Sequence, residues 1–266
     1  MIKRDYHTHS ISPDANRSME EMCRGALLKG IREIVFTDHY EFYEHGNGNG
    51  YFHDEYLNRY FQEIEECEEK FRGRLLIKRG MEFGQLHLGG KRAGEILETR
   101  PFDYIIGSVH KIHDVDLEKM DINENNAWQI AREYYDTLLE VSEVGDFDCL
   151  GHLDYCKRHL RGAGCPDFYE DFEPVIRQIL LNVIRRGKGI EINTSGLRQP
   201  QKELTPALKT LVLYKELGGT IVTVGSDAHS PEYIGYEFCQ AEHALKLAGF
   251  YETAIYKHRK TLVFSI

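Results

Sequence analysis

The sequence contains no long apolar run and no leader-like segment behind its first residue. None of its apolar stretches approaches the ~20 residues that a membrane-spanning helix requires. Lys3, Arg4 and Asp5 follow the first Met without the apolar segment of a secretory signal peptide. We therefore expect a cytoplasmic protein with no membrane partner.

The sequence also lacks closely spaced cysteine pairs, and its acidic residues outnumber its basic residues. The six cysteines include no C-x-x-C pair, so we expect reduced thiols rather than a disulfide framework. A formal net charge of −10 argues against nucleic acid as the main partner. The same charge would repel an anionic substrate, which would therefore need a local cluster of arginine or lysine. The sequence leaves the oligomeric state open.

Several common catalytic motifs are missing. The chain has no G-x-S-x-G nucleophile elbow, no phosphate-binding P-loop and no Rossmann glycine pattern.

Its 266 residues, 41% of them hydrophobic, suit one α/β barrel or two ordinary domains. There is no internal repeat or low-complexity tract that would favour another architecture.

Short apolar runs alternate with helical stretches along the chain. Ser18 and Glu21 form the pattern of a capping box, and Gly30 is typical of a helix end. Apolar residues recur at helical spacing over 172–184, and Thr205-Pro206 predicts the start of a helix that Gly218 ends. Seven strand–helix units without a break in composition predict a (β/α) barrel in a single domain.

Polar side chains follow every predicted strand. In a (β/α) barrel the active site lies at the carboxyl ends of the strands, and residues i and i+2 of a strand share one face. The side chains at these ends are His7 and His9, Asp38 and His39, Glu82, His110, His152 and Asp154, Asn193, and Asp227 and His229. This set exceeds the ligands that one zinc ion requires, so we expect two or three divalent metals. Such centres suit attack on phosphorus, whereas the metal (zinc, manganese or iron) is not fixed by these ligands.

In its motifs, the chain resembles the PHP (polymerase and histidinol phosphatase) superfamily. The motifs, in order, are Asp5-Tyr-His-Thr-His-Ser10, Thr37-Asp-His39, Gly80-Met-Glu-Phe-Gly84, Gly107-Ser-Val-His110, Gly151-His-Leu-Asp154, Glu191-Ile-Asn-Thr-Ser-Gly196 and Gly225-Ser-Asp-Ala-His229. The segments 191–198 and 256–264 are most similar to those of the stand-alone histidinol-phosphate phosphatases. The resemblance implies a distorted (β/α)7 TIM-like barrel over residues 1–266, a trinuclear centre and hydrolysis of L-histidinol phosphate in histidine biosynthesis.

The resemblance also implies a ligand set. The first metal would be held by His7, His9, Glu82 and Asp227, and the second by Glu82, as a bridge, with His110 and His152. His39 and His229 would hold a third metal, with Asp14 where many relatives have a histidine.

Fewer residues support a prediction of how the substrate binds. The resemblance implies a phosphate clamp of Arg161 and Arg198. Lys157 and Arg158 are nearby competitors for this role and are otherwise expected to be surface charges. Asp114 or Asp116 is the candidate partner for the amino group of histidinol.

The expected reaction is attack on phosphorus by a hydroxide that bridges the metals. Glu82 would hold the bridged pair, and Asp227 or His229 would pass a proton to the leaving alkoxide through a bound water. Two alternatives stay open at this point. One is an enzyme of this superfamily that acts on another small phosphomonoester, a nucleotide or a phosphodiester, and the other is a non-catalytic metal-binding module.

Overall fold

The computed structural model describes residues 2–10, 15, 17–45 and 53–266. In chain order, the strands are β1 (Arg4–Thr8), β2 (Glu33–Phe36), β3 (His39–Glu41), β4 (Leu76–Gly84), β5 (Tyr104–Ser108), β6 (Lys111–Ile112), β7 (Val115–Asp116), β8 (Cys149–Leu150), β9 (Gly189–Asn193), β10 (Val222–Gly225), β11 (Glu252–Lys257) and β12 (Lys260–Ser265). The α-helices are α1 (Met19–Leu28), α2 (Asp54–Phe71), α3 (Gly90–Thr99), α4 (Ala127–Val144), α5 (Cys156–Gly162), α6 (Tyr169–Arg185), α7 (Leu208–Glu216) and α8 (Phe238–Leu247).

Seven parallel strands form a nearly closed barrel with helices around it. Their order is β1-β2-β4-β5-β8-β9-β10, and each is paired in parallel with the next. The two ends of this path meet where Asp227 N donates to His7 O at 2.8 Å and His9 N donates to Ala228 O at 2.9 Å. The predicted α/β barrel of seven strand–helix units is therefore confirmed.

The helix ends follow the sequence signals, with one exception. Ser18 Oγ accepts from Glu21 N while Glu21 Oε2 accepts from Ser18 N, and Gly30 has φ +73° just after α1. Helix α6 buries the predicted apolar stripe. The prediction that Thr205-Pro206 begins a helix is wrong, since α7 begins at Leu208. Two backbone hydrogen bonds with Asn193 hold Thr205 in an antiparallel bridge, which is incompatible with a helical start at this position.

The hairpin of β11 and β12 covers the amino ends of the barrel strands. Tyr256 N donates to Tyr6 Oη at 2.9 Å, and Tyr6 packs edge-on against Tyr104 with ring centroids 5.2 Å apart. Beyond the turn, Arg259 forms ion pairs with Asp146 and Asp148, just before β8. A functional site is therefore expected at the carboxyl ends of the barrel strands, which this hairpin does not cover. No helix within the described ranges is both long and apolar enough to cross a membrane.

Candidate metal centre

Glu82, near the carboxyl end of β4, lies at the centre of a cluster of imidazoles. Its side chain is 1% exposed, and Ser108 Oγ donates a hydrogen bond to its Oε1 at 2.6 Å. The distances from its carboxylate oxygens to imidazole nitrogens are 3.2 Å for His7, 3.6 Å for His9, 3.1 Å for His39, 3.2 Å for His110 and 2.8 Å for His152. One carboxylate thus faces side chains from five separate positions in the chain.

Asp227 and His229 complete this cluster from the segment after β10. Asp227 Oδ1 lies 3.3 Å from His9 Nε2 and 3.8 Å from His7 Nε2. The His229 ring stacks on His9 with centroids 4.1 Å apart, and His9 also stacks on His39 at 4.5 Å. The first and last strands of the barrel therefore bring their His-x-His and Asp-x-His pairs together, as their spacing predicts.

Four overlapping groups of side chains have ligand atoms close enough together to hold a metal ion. These groups are His9, His39 and His229; His7, Glu82 and His152; His7, His9 and Asp227; and His39, Glu41 and His110. Eight of the nine residues predicted as ligands belong to these groups, and the ninth, Asp14, lies outside the described residues.

The chemistry of this donor set fits a cation. The Nε2 atoms of His110 and His152 are 3.4 Å apart, and both face the same oxygen of Glu82. Completely buried His9 has no hydrogen-bond partner for its Nδ1 among the described residues. Nitrogen lone pairs and carboxylate oxygens that converge in a buried space are the arrangement that borderline divalent metals bind.

Electrostatics keep His9 and Glu82 in the forms that bind metal. Burial, together with the imidazoles of His229 and His39, lowers the pKa of His9 to about 3, so this ring is neutral at pH 7. Burial raises the pKa of the Glu82 carboxyl, but His7 and His110 outweigh it and hold that pKa well below its usual range. A metal requires neutral imidazole and ionised carboxylate, which His9 and Glu82 supply. Burial lowers the pKa of both His110 and His7, but Glu41 and Glu82 outweigh it at His110 and raise that pKa to about 9, while Glu191 and Glu82 hold the pKa of His7 well above its usual range. Metal binding would therefore release a proton from each of these two rings.

Two buried carboxylates that the sequence analysis missed orient the candidate ligands. Glu191 Oε1 lies 2.7 Å from His7 Nδ1, and Glu191 Oε2 accepts from His152 N at 3.0 Å. Glu41 Oε1 lies 2.7 Å from His110 Nδ1. A carboxylate on the far nitrogen of a ligating histidine fixes the ring and its tautomer.

Both carboxylates could have been predicted from the two-residue period of a β-strand. Glu41 follows His39 by two residues in β3, and Glu191 precedes Asn193 by two residues in β9. Since alternate residues of a strand share one face, each glutamate points to the same side as a residue already assigned to the site.

Arg198 lies beside Asp227 and contacts its backbone. Its Nη1 donates to Ser226 O at 3.0 Å and its Nη2 donates to Asp227 O at 2.7 Å. The guanidinium also packs on the rings of Tyr233 and Tyr236, at 4.6 and 5.4 Å from their centroids. An arginine has five N–H donors, so three remain for a bound group.

The α5 region differs from the expectation. The side chain of Arg161 is 44% exposed and lies 3.5 Å from Asp167, whereas Arg158 lies over Tyr155, whose ring packs against His110 and His152. The interpretation of Lys157 as a surface charge is wrong. Its side chain is 1% exposed because the helix turns it towards Asp154, Asp167 and Glu203.

The two acids proposed for the amino group already have partners in the protein. Asp114 accepts from the backbone N–H groups of Glu44 and His45, at 2.8 and 3.0 Å. Asp116 pairs with Lys111 and Lys119. Asp114 thus connects the β6–β7 hairpin to the loop after β3, and Asp116 stabilises the hairpin itself.

Comparisons with known proteins agree with this geometry. Residues 5–195 match the family model described as PHP domain. A protein named Histidinol-phosphatase from Lactococcus lactis is 31% identical over 98% of this chain and 96% of its own length. A crystal structure of histidinol phosphate phosphatase from Lactococcus lactis, in complex with zinc, L-histidinol and phosphate, superposes with a TM-score of 0.84, 29% identity and 98% coverage of each chain. A structure from Listeria monocytogenes, 23% identical with a TM-score of 0.76 and covering 90% of this chain and 99% of its own, shares the fold.

Proposed function

This chain belongs to the PHP domain family, and we propose that it is a metal-dependent phosphomonoesterase that hydrolyses L-histidinol phosphate to L-histidinol and phosphate. The whole of residues 1–266 would form one such domain. The reaction class rests on a single observation, the five imidazoles that lie within 3.6 Å of the Glu82 carboxylate. The choice of substrate is supported by the name of the Lactococcus relative and by the ligands bound in the neighbouring structure.

We assign two to three divalent ions to this centre. His7, His9, Glu82 and Asp227 would hold one ion, and Glu82, His110 and His152 a second. His39 and His229, with Asp14, would hold a third. Zinc is favoured by its presence in the neighbouring structure, and manganese and iron are compatible with the same donors. When bound, the ions supply positive charge that polarises phosphoryl oxygens and makes water more acidic.

The chain's own residues bind and orient the phosphate. Arg198 is fixed by the carbonyls of Ser226 and Asp227, so its remaining N–H groups have a defined direction before substrate arrives. A fixed planar guanidinium suits two-point contact with phosphate oxygens and stabilises charge that grows in the transition state. Arg161 would add positive charge from α5. The side chains of Asp227 and His229 would hold the proton for the leaving alkoxide through an intervening water.

The substrate assignment is tested by phosphate release from a panel of esters by protein loaded with zinc or manganese. We expect the highest kcat/KM with L-histidinol phosphate and slower turnover of p-nitrophenyl phosphate. Bis(p-nitrophenyl) phosphate, which differs only in being a diester, should turn over least. Preference for the diester or for a nucleotide would contradict the proposal, and no turnover by the loaded protein would favour a metal-binding module.

A further inference from the structure

Lys157 is an enclosed cation at the base of α5. Its Nζ lies 2.9 Å from Asp154 Oδ2, 3.3 Å from Glu203 Oε1 and 3.7 Å from Asp167 Oδ2. Burial works against the charged form, but Asp154 and Glu203 outweigh it and hold the pKa of the Lys157 ammonium above its usual range. This lysine is therefore charged at neutral pH.

Each of the three carboxylates belongs to a different part of the barrel rim. Asp154, in the loop after β8, also accepts from Ala207 N at 3.1 Å, directly before α7. Glu203 lies in the segment that leads from Arg198 to α7. Asp167, before α6, shares its Oδ2 between Lys157 and Arg161. One ammonium group thus joins the segments 154–167 and 194–207, which we call the arginine rim because they carry Arg158, Arg161 and Arg198.

We propose that Lys157 is a positioning residue that sets the spacing of the arginine rim and thereby the affinity of the site for phosphate. The proposal rests on the proposed function, because that function supplies the phosphate. Two-point contacts between guanidinium and phosphate depend on geometry, so a shift between the two segments weakens them while the metal ligands stay in place. A well-packed apolar side chain often replaces a buried ion pair without loss of stability, which points to geometry as the role of this cluster.

Two variants test the proposal with a matched control. Lys157→Met keeps the length of the side chain and removes the charge, but leaves Asp154 buried without its cation. Glu203→Gln turns one ion pair of Lys157 into a weaker, uncharged hydrogen bond at a residue whose side chain is 37% exposed, so it leaves no buried charge alone. Lys91→Met, at a side chain that is 91% exposed on α3, is the control. For each protein we would measure metals per chain, kcat and KM for L-histidinol phosphate, and the inhibition constant of inorganic phosphate.

We expect KM and the phosphate inhibition constant of Lys157→Met to rise on the order of ten- to a hundredfold, with kcat changed by less than about threefold. Metal content should stay at the wild-type value, and Glu203→Gln should show the same pattern with a smaller rise. Unchanged phosphate constants in Glu203→Gln would overturn the proposal, as would a loss of metal in either variant. If the wild type releases no phosphate from any ester, the proposed function fails. Calorimetric titration of the metal-loaded proteins with inorganic phosphate then decides the role of Lys157 by itself.

Discussion

At the scale of single residues, Glu82 lies against five of the histidines that we propose as metal ligands. Its two oxygens face nitrogens of five histidines, so its charge is shared among neighbouring ligand groups. We propose that this carboxylate bridges two metal ions, in which case its loss should affect both.

Glu82→Gln should therefore lose more than one metal ion per chain. The change keeps the shape of the side chain and removes the charge on which two ions would depend. Elemental analysis of protein purified without chelators measures the outcome directly. Glu95→Gln on the exposed face of α3 is the control and should keep the wild-type content. An unaltered metal content in Glu82→Gln would mean that this carboxylate bridges nothing.

Glu191 gives a second prediction at the same scale. Its two oxygens accept from two different N–H groups, on His7 and on the backbone of His152. An amide at this position provides only one acceptor, so Glu191→Gln must lose one of the two contacts. We expect about ten- to a hundredfold weaker metal binding, measured by competition with a chelator. Glu173→Gln, on the outer side of α6, should bind metal like the wild type, and equal affinity of both variants would refute the orienting role.

At the scale of secondary-structure elements, close approach of strands limits which residues fit near the site. A Cβ atom on Gly225, at the end of β10, would lie 2.3 Å from Glu191 Oε1 and 2.3 Å from His7 Cβ. Only glycine lets β10 approach β1 closely enough for Asp227 to reach the histidines of β1.

Gly225→Ala should consequently destabilise the fold by about 1–3 kcal/mol, because the neighbouring side chains must shift to admit the methyl group. Gly94→Ala, inside α3 with no atom near its added Cβ, should instead stabilise the protein by ~0.5–1 kcal/mol. Chemical denaturation of the two variants under identical conditions provides the comparison. Equal effects of the two substitutions would show that β10 has more space than the structure gives it.

The strands and helices also show which features of the structure could be predicted from the sequence. Strand ends were predictable because apolar runs that end in histidine, an acid or, once, asparagine are local patterns, and all seven lie at one end of the barrel. The start of α7 was not, since the backbone of Asn193 holds Thr205 extended across twelve residues of chain. The burial of Lys157 was not predicted because it, too, depends on contacts between residues that are distant in the sequence. Its burial depends on Glu203 and Asp167, which no spacing rule connects to α5.

At the scale of the whole molecule, the barrel gathers carboxylate oxygens and imidazole nitrogens close enough together to hold metal ions. Ligands that bind only the folded state stabilise it by mass action. Metal removal should therefore lower the free energy of unfolding, by about 3–4 kcal/mol relative to protein at metal concentrations of 100 to 1,000 times Kd. Thermal unfolding of chelated and reloaded samples measures this difference. An unchanged Tm would indicate that the cluster binds no metal in the folded protein.

The central claim is that the cluster around Glu82 is a multinuclear centre that hydrolyses L-histidinol phosphate. The most direct test is to titrate chelator-stripped protein with zinc or manganese while phosphate release from L-histidinol phosphate is followed. We expect activity to rise mainly after the first equivalent of metal, since two ions must share Glu82, and Glu82→Gln to stay inactive throughout. Full activity at one equivalent, or activity in Glu82→Gln equal to that of the wild type, would contradict this claim.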